Sequence, residues 1–182
     1  MENLVTTEEQ KILLQIARES IAEAVNAEKS VAKQAVSGNL LLKRGCFVTM
    51  TMHGRLRGCI GIFSSEKPLY ATVREMAVAA ATRDPRFYPL DRNELDDIHL
   101  EISVLSPLKK IDSVEEIQVG AHGLYIEKNL FRGVLLPQVA SEHGWDRTTF
   151  LEQTCLKAGL DADAWKNEAD ISIFSAQVFG EK

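Results

Sequence analysis

The dipeptide His53-Gly54, set between two extended runs, constrains this chain more than any other feature. Cys46 to Met52 is rich in Val, Thr, Phe and Met, and a second extended run follows from Arg55 to Phe63. A two-residue connection can only join antiparallel neighbours, so the sheet must include a β-hairpin. Cys46 then lies on one of its strands and Cys59 on the other, in a register that the sequence does not fix.

Helical patterns alternate with the strand patterns. Thr6 and Thr7 precede Glu9 and Gln10 in capping-box spacing, and Leu13, Ala17, Ile21 and Val25 recur every four residues, which predicts a helix over 7–26. Ala27 to Asn39 has no clean apolar stripe and is expected to lead by helix or loop into the sheet. Ser64 and Ser65 are placed to cap a second helix, with Pro68 in its first turn and Leu69, Val73, Met76, Ala77 and Ala80 as its buried stripe. That helix must end near Asp84, because the residue before Pro85 is pushed out of the α region. Pro85 and Pro89 then bracket a rigid turn bearing Arg86, Phe87 and Tyr88. Alternation predicts a strand over His99 to Ser106, a hairpin of His122 to Glu127 with Phe131 to Leu136 around Lys128-Asn129, and a last strand over Ile171 to Phe179. Pro137 opens a short helix that Gly144 closes, and Asp146 caps another that contains Phe150, Leu151, Cys155 and Ala158 and stops at Gly159. The expected class is α+β, a mixed and largely antiparallel sheet with packed helices.

At 182 residues and 45% apolar composition, the chain fits a single domain over 1–182 with room for two lobes. A formal net charge of −5 sets its overall field against polyanions, so general nucleic-acid binding and attachment to an anionic membrane are not expected. Local cations exist nonetheless at Lys43, Arg44, Arg55, Arg57, Arg83 and Arg86, and if gathered they could hold one phosphate or carboxylate. Cys46, Cys59 and Cys155 form no CxxC pair and read as reduced thiols. The first residues do not resemble a signal peptide, and the longest wholly apolar run, Met76 to Ala81, is far short of the ~20 residues of a membrane span. A cytoplasmic location is the expectation that fits both.

The candidate chemistry lies in Leu56 to Gly61. In an unbroken strand Arg57 and Cys59 would project from one face while Leu56 and Ile60 packed on the other. Gly58 and Gly61 leave backbone bare, which suits a bulge or close approach by another chain or a ligand. A guanidinium near a thiol favours thiolate, the reactive form, so Cys59 is the candidate catalytic residue with Arg57 as activator. The opposing reading is a small buried residue chosen for size. Asp84 and Arg86 flank Pro85, so their positions are stiffened; Arg86 could join Arg57 as a clamp for a small anionic ligand, or Asp84 could simply cap and pair locally. Gln138 could turn its amide to a cleft from a helix start, or be an ordinary first-turn polar residue. His53, His99, His122 and His143 have neither HxxxH nor HExxH spacing, and no GxSxG, GxxxxGK[ST] or GxGxxG motif occurs, so no metal site or cofactor is expected.

Five ordered motifs go further: LRGCIG at Leu56 to Gly61, DPRF at Asp84 to Phe87, SVLSP at Ser103 to Pro107, LLPQV at Leu135 to Val139 and GWD at Gly144 to Asp146. Together they resemble the AMMECR domain family, whose prokaryotic members include component A of the AmmeMemoRadiSam system. The resemblance spans about residues 5 to 180. It implies a larger lobe carrying a smaller β-rich one, and it suggests a Memo-like protein and a radical SAM protein as partners, but it brings no established reaction. Many members carry a proline directly after DPRF, where this chain has Tyr88 before Pro89. Two functional readings follow. One is a binding or regulatory component that uses Arg57, Gly58, Gly61, Asp84, Arg86 and Gln138 as a ligand or partner surface. The other is an enzyme using Cys59 on a small anionic or peptide-borne substrate.

Overall fold

The computed structural model describes residues 4–26, 38–167 and 169–181, so most of the expected connection at 27–39 lies outside the described residues. The chain divides into two compact units. Among the described residues the larger comprises 4–26, 38–105 and 177–181, and the smaller 106–167 and 169–176.

The larger unit opens with helix α1, Thr7–Asn26. Its capping box is formed: the Thr6 amide donates to Glu9 Oε2 at 2.8 Å, and the Glu9 amide donates back to Thr6 Oγ1 at 3.3 Å. Leu13, Ala17 and Ile21 are fully buried, as their spacing requires. Strands β1 (Cys46–Met52) and β2 (Arg55–Ile62) form the hairpin, and His53 and Gly54 take φ of 50° and 74°. Two positive φ values give a primed turn, whose twist matches that of the flanking strands. β1 pairs antiparallel with β2 on one side and with β3 (Ile98–Leu105) on the other, which leaves β2 at the sheet edge.

Helix α2 (Leu69–Thr82) packs on β1 and β2 and buries Val73, Met76, Ala77 and Ala80. It starts later than the serines suggest, because Ser65 Oγ accepts from the Lys67 amide at 3.0 Å and so caps a turn before the helix. Pro68 bridges Lys43 in extended conformation and becomes the residue before the first turn rather than part of it. Cys46, Val48, Met50, Val73, Leu100, Ile102 and the α1 stripe make one continuous core, each large apolar side chain contributing about 1.5–3 kcal/mol on full burial.

In the smaller unit, β5 (His122–Lys128) pairs antiparallel with β6 (Phe131–Leu135) and with the first part of β7 (Asp170–Gly180), while the short β4 (Lys109–Lys110) borders β7. The hairpin turn falls on Asn129-Leu130, since Lys128 pairs with Phe131; Asn129 accepts φ of 57°. Helices α3 (Pro137–His143) and α4 (Arg147–Lys157) start and stop where proline, glycine and Asp146 direct, and the Asp146 carboxylate accepts from the Thr149 amide at 2.7 Å. Ile117, Leu124, Ile126, Phe150, Leu151, Cys155 and Ile173 form a second core. The expected α+β class with a largely antiparallel sheet is the fold found.

Candidate functional site

Strand β2 is not regular. Gly58 pairs with Met50 and Leu56 with Thr51, so Arg57 is an extra residue with no partner in β1. The insertion is a β-bulge, and it breaks the face-by-face alternation expected for an unbroken strand. Leu56 is 43% exposed rather than packed. Gly58 is where the bulge meets α2: a Cβ there would lie 2.5 Å from the Ala80 carbonyl oxygen and 2.7 Å from Met50 Cε. Gly61 is covered by the Phe47 ring, at 2.3 Å from any Cβ. At both glycines the close approach is made by the protein itself.

Cys59 stands opposite Thr49, which in turn stands opposite Glu101 of β3, so the three residues form a row across three strands. Thr49 Oγ1 donates to Cys59 Sγ at 3.2 Å. Of the three thiols, Cys59 is partly exposed while Cys46 and Cys155 are buried. A hydroxyl is not a base at neutral pH, and Glu101 lies two strand spacings away, about 9.6 Å, beyond direct proton transfer.

The backbone of Cys59 is tied to the segment after α2. Its amide donates to Asp84 Oδ2 at 2.9 Å, and its carbonyl accepts from Arg86 at 3.2 Å. Asp84 is only 4% exposed, and its carboxylate also receives the Arg86 amide at 3.1 Å, Arg86 Nε at 3.0 Å and a terminal nitrogen of Arg86 at 2.7 Å. The Arg86 guanidinium, then the amides of Cys59 and Arg86, outweigh burial and hold this carboxyl well below the usual carboxylate range. The Asp84 hydrogen bonds and charge raise the Arg86 pKa.

Arg57 turns elsewhere. Its guanidinium forks onto Glu94, with Nε to Oε1 at 2.9 Å and a terminal nitrogen to Oε2 at 2.7 Å, and it donates to the Tyr88 carbonyl at 3.0 Å. Each partner fixes the other's charge, so Arg57 is raised and Glu94 lowered. Arg86, not Arg57, is therefore the guanidinium beside Cys59, and both arginines fasten 84–94 along β2. Between the fastenings Tyr88 stands 91% exposed.

Gln138 is the second residue of α3 in the smaller unit, whereas the other candidates belong to the larger one. Thr49 and Glu94 were not anticipated. Glu94 had a local signal, since it closes a capping box with Asp91; Thr49 needed the register. Among the described residues no group of three or more His, Cys, Asp or Glu could hold a metal ion, and no helix is long and apolar enough to cross a membrane.

The AMMECR1 family model matches residues 14–179, which takes in all of these positions. The chain belongs to the AMMECR1 family. Among AMMECR1 relatives, a protein of Methanopyrus kandleri is 41% identical over 98% of this chain and 91% of its own length. A protein of Methanosarcina barkeri is 40% identical over 98% and 93%. The crystal structure of an uncharacterised protein from Pyrococcus horikoshii superimposes with a TM-score of 0.86 at 35% identity, covering 98% of this chain and 94% of that one. The LRGCIG and DPRF segments of this chain are thus two sides of one structural contact, a strand edge and the turn clasped to it.

Proposed function

We propose that this AMMECR1 protein is a binding component of a multi-protein system, and that the turn 84–94 held on β2 is its partner surface. The observation that carries this reading is the use of both arginines for rigidity: they pair with Asp84 and Glu94 and hold in place a turn on which Tyr88 is 91% exposed and the Arg86 side chain 53% exposed. Tyrosine and arginine on a preorganised backbone are the residue types that dominate binding energy at interfaces. The resemblance suggests a Memo-like protein and a radical SAM protein as the partners.

The test is calorimetric titration of the purified chain against those two proteins from the same organism. Tyr88→Ala is expected to weaken binding to at least one of them by about 2 kcal/mol, roughly thirtyfold, with Cys59→Ser close to wild type. Equal affinities for wild type and Tyr88→Ala would remove the turn from the interface.

The enzyme reading keeps one observation in its favour, the partial exposure of Cys59 beside Thr49 and Arg86. An anionic substrate there would have to compete with Asp84 for Arg86. Loss of cellular function in Cys59→Ser with partner affinity intact would favour that reading.

A further inference from the structure

β2 ends the larger unit's sheet in the order β2-β1-β3. In an antiparallel ladder every second residue of an edge strand directs both its N–H and its C=O away from the sheet, where they form a template for another strand. Cys59 is such a residue, since its two groups point to Asp84 and Arg86 and not to β1. One acceptor and one donor, presented together, are what a neighbouring strand would offer, and here two side chains offer them. Pro85 lies between the two and has no N–H, so the turn satisfies Cys59 without presenting a new ladder of its own. The same two side chains also brace the turn, since the Asp84 carboxylate accepts from the amide and the guanidinium of Arg86.

We infer that Asp84 and Arg86 are an edge guard: they occupy the outward hydrogen-bonding groups of Cys59 and thereby prevent β2 from pairing with β2 of a second copy of this chain. The second copy is the occupant excluded because the strand is suited to itself. Antiparallel pairing centred on Cys59 sets Gly58 against Ile60 of the other copy, small against branched, and brings no like charges opposite one another. It would also bring the exposed Leu56 and Ile62, at 43% and 41%, to the two ends of a shared ladder. The guard is independent of which partner binds the turn.

The experiment uses the full chain and three readouts. In wild type, the Cys59 amide should exchange with deuterium about 100-fold more slowly than an unprotected amide, and the protein should sediment without a dimer formed through β2. In Arg86→Ala and in Asp84→Ala, sedimentation should become concentration-dependent, and mild copper-catalysed oxidation should join Cys59 to Cys59 about tenfold faster than in wild type. The buried Cys46 and Cys155 do not confuse that readout. Arg86→Ala keeps the buried carboxylate with its amide donors, so it remains informative if Asp84→Ala does not fold. Unprotected exchange at Cys59 in wild type, or a folded Arg86→Ala that stays monomeric and crosslinks no faster than wild type, overturns the inference.

Discussion

The carboxylate of Asp84 receives donors from the Cys59 amide and from the amide and side chain of Arg86 while it is almost fully buried. Its folded pKa is depressed, so its contribution to stability is complete above the ordinary carboxylate pKa of about 3.9 and is lost as pH falls from there toward the folded value. Asp84→Asn is therefore expected to be less stable than wild type at neutral pH by about 2 kcal/mol and to lose less on acidification. Urea midpoints measured between neutral pH and acid should converge; parallel curves would mean that Asp84 is not held ionised. The cysteines give a second prediction. Burial pushes the Cys46 thiol up to about 12 and raises Cys155, so iodoacetamide at about pH 8 should label native protein at Cys59 first. Peptide mass mapping that finds Cys46 labelled equally fast would contradict this packing. Residue types singled out Cys59, Asp84 and Arg86, but they paired Cys59 with Arg57, whose guanidinium lies on Glu94. They could not assign partners, because which guanidinium meets which carboxylate depends on the bulge at Arg57; Gly58 marked where a bulge would fit, but neither its presence nor the register it sets follows from residue type.

Elements were legible wherever a local chemical stop or start enforced them. The capping box at Thr6 and Glu9, the positive-φ pair His53-Gly54, proline at 137 and the Asp146 cap each act within a few residues, so sequence sufficed. The start of α2 departs from the serine signal because Ser65 bonds to Lys67 and the bridge to Lys43 comes from distant sequence. Two substitutions separate local from distant causes. Gly144 ends α3 at φ 64°, and a Cβ there would meet nothing within 4 Å, so Gly144→Ala should cost only the left-handed backbone penalty, about 1 kcal/mol. Gly58→Ala meets the Ala80 carbonyl and Met50, where backbone must move, and should cost about 1–3 kcal/mol. Chemical denaturation checks both. A Gly58→Ala protein as stable as wild type would show that α2 can retreat from β2 without penalty.

At the scale of the molecule, each unit has its own closed core, and the chain passes from one to the other at 105–106 and again at 176–177 within β7. The end of the chain is fastened inside the larger unit: the Leu100 amide donates to Glu181 at 2.9 Å, the Glu181 carboxylate pairs with Arg18, and Gln177 exchanges hydrogen bonds with the backbone of Val5. Those bonds do not pass through the smaller core. Phe150 is fully buried in that core, and its truncation to alanine should cost about 3–5 kcal/mol there. Hydrogen exchange of Phe150→Ala is expected to accelerate at β5 and β6 while the Leu100 amide and those of β1 keep wild-type protection. Uniform acceleration across β1, β3, β5 and β6 would instead make the two cores one cooperative unit. The separation matters for the partner surface, since 84–94 and β2 both belong to the larger unit, and a lesion at Phe150 should leave the presentation of Tyr88 intact.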